Sequence, residues 1–98
     1  MSVNSREKLK IEEVAIHLLK LSEYNPRTLS DTQEETLTKS IKEYQLLDPL
    51  VVNKFKGREN VIVSGHQRYK VAKKLGYKEV PVVYVCLNLE NEKRLNLL

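Results

Sequence analysis

Cysteine, glycine and proline are all scarce in this 98-residue chain: one cysteine, three glycines and three prolines. No apolar run approaches the roughly 20 residues that would span a bilayer. With Cys86 alone an internal disulfide is excluded. Its place after Val82-Val83-Tyr84-Val85, an expected inner strand, predicts a buried structural thiol. A lone cysteine also fits a reducing, cytoplasmic setting. Low-complexity tracts and internal repeats are absent. The opening residues 1–11 are polar, carry no signal-peptide pattern and read as a flexible segment ahead of one domain over residues 12–98.

What is present is an ordinary soluble composition, 41% hydrophobic and 31% charged. Net charge is +4, and it is unevenly placed. Residues 1–49 hold seven Lys/Arg against nine Asp/Glu, whereas residues 50–98 hold ten against four. The second half is therefore at +6 and suits a phosphate-bearing partner, nucleotide or DNA.

Alternation over Glu12–Leu18 predicts a first strand with Val14, Ile16 and Leu18 inward and His17 on the opposite face. Asn25-Pro26-Arg27 is a loop whose proline stiffens the backbone next to Arg27. Ser30 or Asp31, with Gln33 and Glu34 three residues after each, caps a helix carrying Leu37, Ile41 and Tyr44 on one face, read as core. Leu46-Leu47-Asp48-Pro49 ends it. Strands over 50–55 and 60–64 then form a hairpin around Lys56–Asn60, and a last strand covers 80–85 with its proline at the start. Residues 88–98 read as a helix that ends in an apolar Leu95-Asn96-Leu97-Leu98. That end either packs back on the core or belongs to a truncated piece of a longer protein, the second being favoured.

The most informative stretch is Val61-Ile62-Val63-Ser64-Gly65-His66-Gln67-Arg68, a strand, a glycine and the start of a basic helix that runs to Leu75 and stops at Gly76. A glycine there allows a sharp turn and close approach of a ligand. The amides of the helix's first turn make an anion site, and Arg68, on the same face as Ala72 and Leu75, is placed to grip a phosphate. The plainer alternative is a strand-to-helix turn with a surface arginine. Lys70, Lys73 and Lys74 form the opposite face, a solvated basic surface ahead of a DNA contact.

The succession of strand, Asn25-Pro26-Arg27 loop, helix, Leu47-Asp48-Pro49-Leu50-Val51-Val52 hairpin, Ser64-Gly65-His66-Gln67-Arg68-Tyr69 helix and Val80-Pro81-Val82 strand resembles the ParB/sulfiredoxin superfamily. Within it the chain is similar to the ParB-like N-terminal (ParB-like nuclease) domain, including domains fused ahead of DNA methyltransferases. The resemblance implies an α+β fold: a small mixed sheet with helices packed on it and a phosphate-binding turn at a helix N-terminus. It further implies that Ser64, Gly65, His66, Gln67 and Arg68 bind a nucleotide, CTP or ATP/ADP with Mg, and that Arg27 closes on the same anion. Where partition proteins carry Gly-Glu-Arg-Arg, this chain has Gly65-His66-Gln67-Arg68, so the acidic group tied to CTP hydrolysis is lost. The sulfiredoxin cysteine after the glycine is replaced by His66, which excludes sulfinic-acid reduction. The free-serine-kinase turn Asp-Gly-His-His-Arg is also similar, with Glu34 and Glu35 as distant candidates for a base.

Two function classes follow. One is a nucleotide- or phosphate-binding module of a plasmid, phage or chromosome maintenance protein, with DNA and a second copy of the chain as further partners. The other is a small phosphoryl-transfer enzyme or weak nuclease with His66 as the catalytic acid or base. Phosphoryl transfer usually draws on metal-binding carboxylates, and no Asp/Glu/His cluster with metal spacing appears, so binding stands ahead.

Overall fold

β-Branched residues crowd three short segments, and each becomes a strand with at least one face in the interior. The computed structural model describes residues 10–24, 29–46 and 48–96. Strands β1 (Ile11–Ala15), β2 (Leu50–Asn53), β3 (Ile62–Ser64) and β4 (Glu79–Val85) form one sheet in the order β1-β4-β2-β3. β1 pairs antiparallel with β4, placing Val14 opposite Val80, and β2 pairs antiparallel with β3. β2 and β4 run parallel, with Leu50 opposite Val82 and Val52 opposite Tyr84. Mixed pairing is the outcome of a β2–β3 hairpin followed by a helical return to β4.

Helix α1 (Asp31–Tyr44) starts at a reciprocal capping box. Ser30 Oγ accepts from the Gln33 amide at 3.2 Å, and Gln33 Oε1 accepts from the Ser30 amide at 3.0 Å. Helix α2 (His66–Lys74) follows β3 directly and ends before Gly76. Helix α3 (Leu89–Asn96) begins at Asn88, whose Oδ1 accepts from the Asn91 amide at 2.9 Å. The core is built from Leu50, Val52, Ile62, Val80 and Val82 of the sheet with Ile41 of α1 and Tyr69, Val71 and Ala72 of α2. The α+β class and the mixed sheet expected from the sequence are both present.

Four expectations are corrected. β1 stops at Ala15, and Ile16–Leu18 wind into a single 3-10 turn. Ile16 stays buried, but the turn sends Leu18 outward, 49% exposed. Tyr44, read as core, is 59% exposed, since Ile41 is the last residue of the α1 stripe to reach the core. Cys86 is exposed rather than buried because β4 ends one residue earlier, at Val85. β2 ends at Asn53 rather than at 55, because the Asn53 side chain turns the chain: its Oδ1 accepts from the amides of Phe55 and Leu87, both at 3.0 Å. No helix among the described residues is long and apolar enough to cross a membrane.

Candidate functional site

Gly65 takes φ 99° and ψ 22°, a left-handed conformation that costs an L-residue with a side chain about 1–2 kcal/mol. Its surroundings exclude a side chain independently. A Cβ there would stand 2.6 Å from Leu50 Cδ2 and 3.1 Å from Arg68 Nη2. The glycine therefore lets the β3–α2 turn lie directly against β2 and against the arginine. Tyr69 N–H bonds Gly65 C=O at 2.9 Å as the helix ladder begins, and the amides of the preceding turn point along the axis out of the helix end.

Arg68 is half-buried where the sequence places it, at the sheet end of α2. Nη2 donates to the Pro49 carbonyl at a long 3.4 Å. Nε is buried and meets no acceptor among the described residues. A buried guanidinium N–H without a partner is costly, roughly 1–3 kcal/mol or more, unless a ligand supplies the acceptor.

His66 is buried at the first position of α2. Its Nε2 lies 2.8 Å from Ser22 Oγ, and the Ser22 amide, which can only donate, points at the same nitrogen from 3.5 Å. Both polar groups of Ser22 thus meet the ring at Nε2. Ser64, Gly65, His66, Gln67 and Arg68 all line one cleft of about 370 Å³, together with residues the sequence did not assign to the site: Gln33 and Leu37 of α1, the latter read as core, and Asn96 of α3. Asn96 is held there by its Nδ2, which donates to the Val63 carbonyl at 2.8 Å. Neither α1 nor α3 is near α2 in sequence, so only the capping glutamine three residues after Ser30 hinted at a polar group on that wall. A more apolar chamber of about 390 Å³ adjoins through Leu29 and Gln67 and is walled by Tyr69, Val71 and Lys70.

Two other candidates separate from the cleft or escape description. Glu34 is taken by Lys74 at 2.5 Å, bridging α1 to α2, which accounts for it as a helix-end carboxylate in an ion pair. Arg27 lies outside the described residues, as do Asn25 and Pro26. Among the described residues no three His, Cys, Asp or Glu side chains gather to hold a metal. The donor set of the cleft is amides and a guanidinium, which fit an anion; a magnesium ion finds no ligand set of its own there.

A second polar cluster sits at the opposite end of α3, and the sequence reading missed it. Glu92 is fully buried. Its carboxylate accepts from Tyr24 Oη at 2.6 Å, Asn53 Nδ2 at 2.6 Å, and Arg58 Nε and Nη2 at 3.1 and 2.7 Å. Arg58 also clasps Glu23 at 2.9 and 3.2 Å. Burial pushes the Glu92 carboxyl up, but the bonds from Arg58, Tyr24 and Asn53 together outweigh it and leave it below the ordinary carboxylate value. Burial and the Glu92 bond raise the Tyr24 phenol in turn.

The chain as a whole matches a known family. The family model of the ParB N-terminal domain covers residues 1–98. This chain belongs to the ParB N-terminal domain family. This ParB N-domain is 32% identical over 80 residues to a nucleoid occlusion protein of Bacillus cereus (strain AH187), a match covering 81% of the chain and 28% of that relative's length. The chain therefore spans under a third of the curated relatives it matches. Its fold is similar to that of the C-terminally truncated chromosome-partitioning protein ParB from Caulobacter crescentus complexed with CTP-gamma-S, with a TM-score of 0.80 and 27% identity, covering 90% of this chain and 51% of that one. The same partitioning protein complexed to the centromeric parS site aligns with a TM-score of 0.72 and 26% identity, covering 88% of this chain and 44% of that one.

Proposed function

We propose that this ParB N-domain is a nucleotide-binding module, holding the phosphates of a nucleoside triphosphate at Ser64–Arg68 and serving a DNA-maintenance protein. The observation that carries the reading is Arg68: a buried Nε without an acceptor among the described residues, beside a position that only a Cβ-free residue can occupy, at the mouth of a helix N-terminus. An anion in the cleft would give Nε its acceptor and meet the positive end of α2 at once. The adjoining apolar chamber, with the ring of Tyr69 on its wall, supports a nucleotide rather than bare phosphate, because it offers a base an apolar bed within reach of the phosphates. CTP is the first candidate, since the similar Caulobacter protein holds CTP-gamma-S.

Binding rather than turnover is what these residues support. His66 Nε2 is engaged by Ser22. Among the described residues no carboxylate cluster stands beside the cleft, so magnesium would arrive on the phosphates. DNA contact is the second half of the proposal, by charge and not by base reading. Lys70 on the outer face of α2 is exposed, while Lys74 is paired to Glu34 and Lys73 rests over the Tyr69 ring at 5.7 Å. Such binding would be weak, blind to sequence and strongly salt-dependent.

The test is a thermal-shift panel of CTP, ATP, ADP, GTP and inorganic phosphate, each with and without magnesium, on the wild type and Arg68→Ala. Stabilisation by a triphosphate that vanishes in the variant is expected, with phosphate release assayed alongside. Absence of any shift at millimolar ligand overturns the reading, and phosphate release that His66→Ala abolishes would move the protein into the enzyme class.

A further inference from the structure

Residues 20–24 form a strap, and nearly every residue along it is pinned to a different element. Lys20 joins the sheet edge, its amide donating to the Asn60 carbonyl and its carbonyl accepting from the Ile62 amide, both at 2.8 Å. Ser22, itself buried, holds the His66 ring. Glu23 is clasped by Arg58, and Tyr24 donates to Glu92. The strap thus connects His66, the first residue of α2 and part of the proposed phosphate-binding turn, to a buried carboxylate on α3, through residues two apart in sequence. Two routes lead from Glu92 into it: directly by the Tyr24 hydroxyl, and by Arg58 to Glu23. The Tyr24 ring is further held by Lys93 of α3, 5.5 Å from its centroid.

We infer that Glu92 is a positioning residue for the phosphate-binding turn, acting through Tyr24 and Ser22 on His66; its consequence for ligand affinity rests on the nucleotide reading above. The physical basis is economy of freedom. An extended strap held only at Lys20 could rotate about Leu21 and carry Ser22 away from His66. Fixing Tyr24 two residues further on removes that rotation and sets the height of the Ser22 hydroxyl against the ring. His66 is the first residue of α2, so a ring held from outside fixes where the turn's amides point. Asn53 and Arg58, which hold Glu92 from the β2–β3 hairpin, make the carboxylate itself immobile. A buried charge with four donors is a rigid post, where a single exposed pair would be loose.

The experiment pairs two readouts on the same variants of the whole chain: Tyr24→Phe, Glu92→Gln, Ser22→Ala and the Tyr24→Phe/Ser22→Ala double. The first readout is the set of His66 ring resonances in ligand-free protein by NMR. The second is the dissociation constant for CTP and for inorganic triphosphate by calorimetry. Tyr24→Phe removes a single hydroxyl and keeps the ring, so it remains informative if Glu92→Gln fails to fold. Both are expected to shift the His66 resonances and to weaken triphosphate binding roughly three- to tenfold. In the Ser22→Ala background Tyr24→Phe should add less than about twofold, because the path is already cut. A purely structural contribution would instead give the same loss in both backgrounds, and that result overturns the inference. So do unchanged His66 resonances in Tyr24→Phe and Glu92→Gln. If the wild type binds neither probe, the nucleotide reading has failed. The positioning of His66 by Glu92 then stands or falls on the ring spectrum alone.

Discussion

Two arginines in this domain are drawn inward, and their surroundings could hardly differ more. Arg58 has a carboxylate on each side, one fully buried and one at the surface, with every contact between 2.7 and 3.2 Å. Arg68 has one distant carbonyl and a buried Nε that meets nothing among the described residues. The first is a closed network, complete without any ligand. The second is an open one, and it lies at the N-terminal end of α2, where the proposed function puts an anion. The contrast separates an arginine that holds the fold from one that, on the proposed function, is left open for a ligand.

The strongest way to break that contrast is to remove Glu92. Glu92→Ala leaves the Arg58 guanidinium and the Tyr24 hydroxyl facing a cavity, and the expected loss is about 3–5 kcal/mol by urea unfolding, a large part of a small domain's stability. A loss below about 1 kcal/mol would mean that the closed network is not structural. Next in size is Gly65→Ala, which combines the left-handed φ with a 2.6 Å clash against Leu50. It should cost about 2 kcal/mol and abolish any nucleotide-dependent thermal shift, because the turn must move off β2.

The acid limb of the stability curve sharpens the comparison from another side. Glu92 has a folded value below its unfolded one, so its contribution is fully present above the unfolded carboxylate value and is lost as pH falls through the folded one. Unfolding profiles of Glu92→Gln should therefore fall less steeply than wild type below about pH 4. An unchanged acid limb would shift the source of acid sensitivity elsewhere. The smallest effect is expected at the open arginine. Arg68→Met should change stability by no more than about 0.5 kcal/mol, or raise it, since it deletes a buried donor that meets no acceptor among the described residues, yet it should erase the triphosphate shift. A marked destabilisation would show that Arg68 holds the fold after all.

Much of the site was readable because its signals are local. Gly65 between an apolar strand and a basic helix, Ser30 three residues before Gln33, and Arg68 one turn before Ala72 are patterns within a few residues of each other, and each element formed where its pattern lay. The misreadings arose at element ends. Leu18 and Cys86 fall three and one residues beyond the ends of their strands, and Tyr44 is the last residue of α1; at such ends periodicity no longer says which way a side chain faces.

The closed network was invisible for a different reason. Glu92 meets Arg58 across 34 residues, Asn53 across 39 and Tyr24 across 68. In sequence Glu92 is one of several charges in a polar helix, Asn53 a blemish in an apolar strand and Arg58 a turn residue. By itself the sequence determined the order of strands and helices, the glycine turn and the charge that suits it, because backbone sterics, capping and hydrophobic period act between near neighbours. The tertiary structure alone decided which arginine would be satisfied, which carboxylate would be buried and that α1 and α3 would wall the cleft. Those outcomes depend on which distant groups the packed sheet brings within 3 Å, and burial makes each such meeting, or its absence, count.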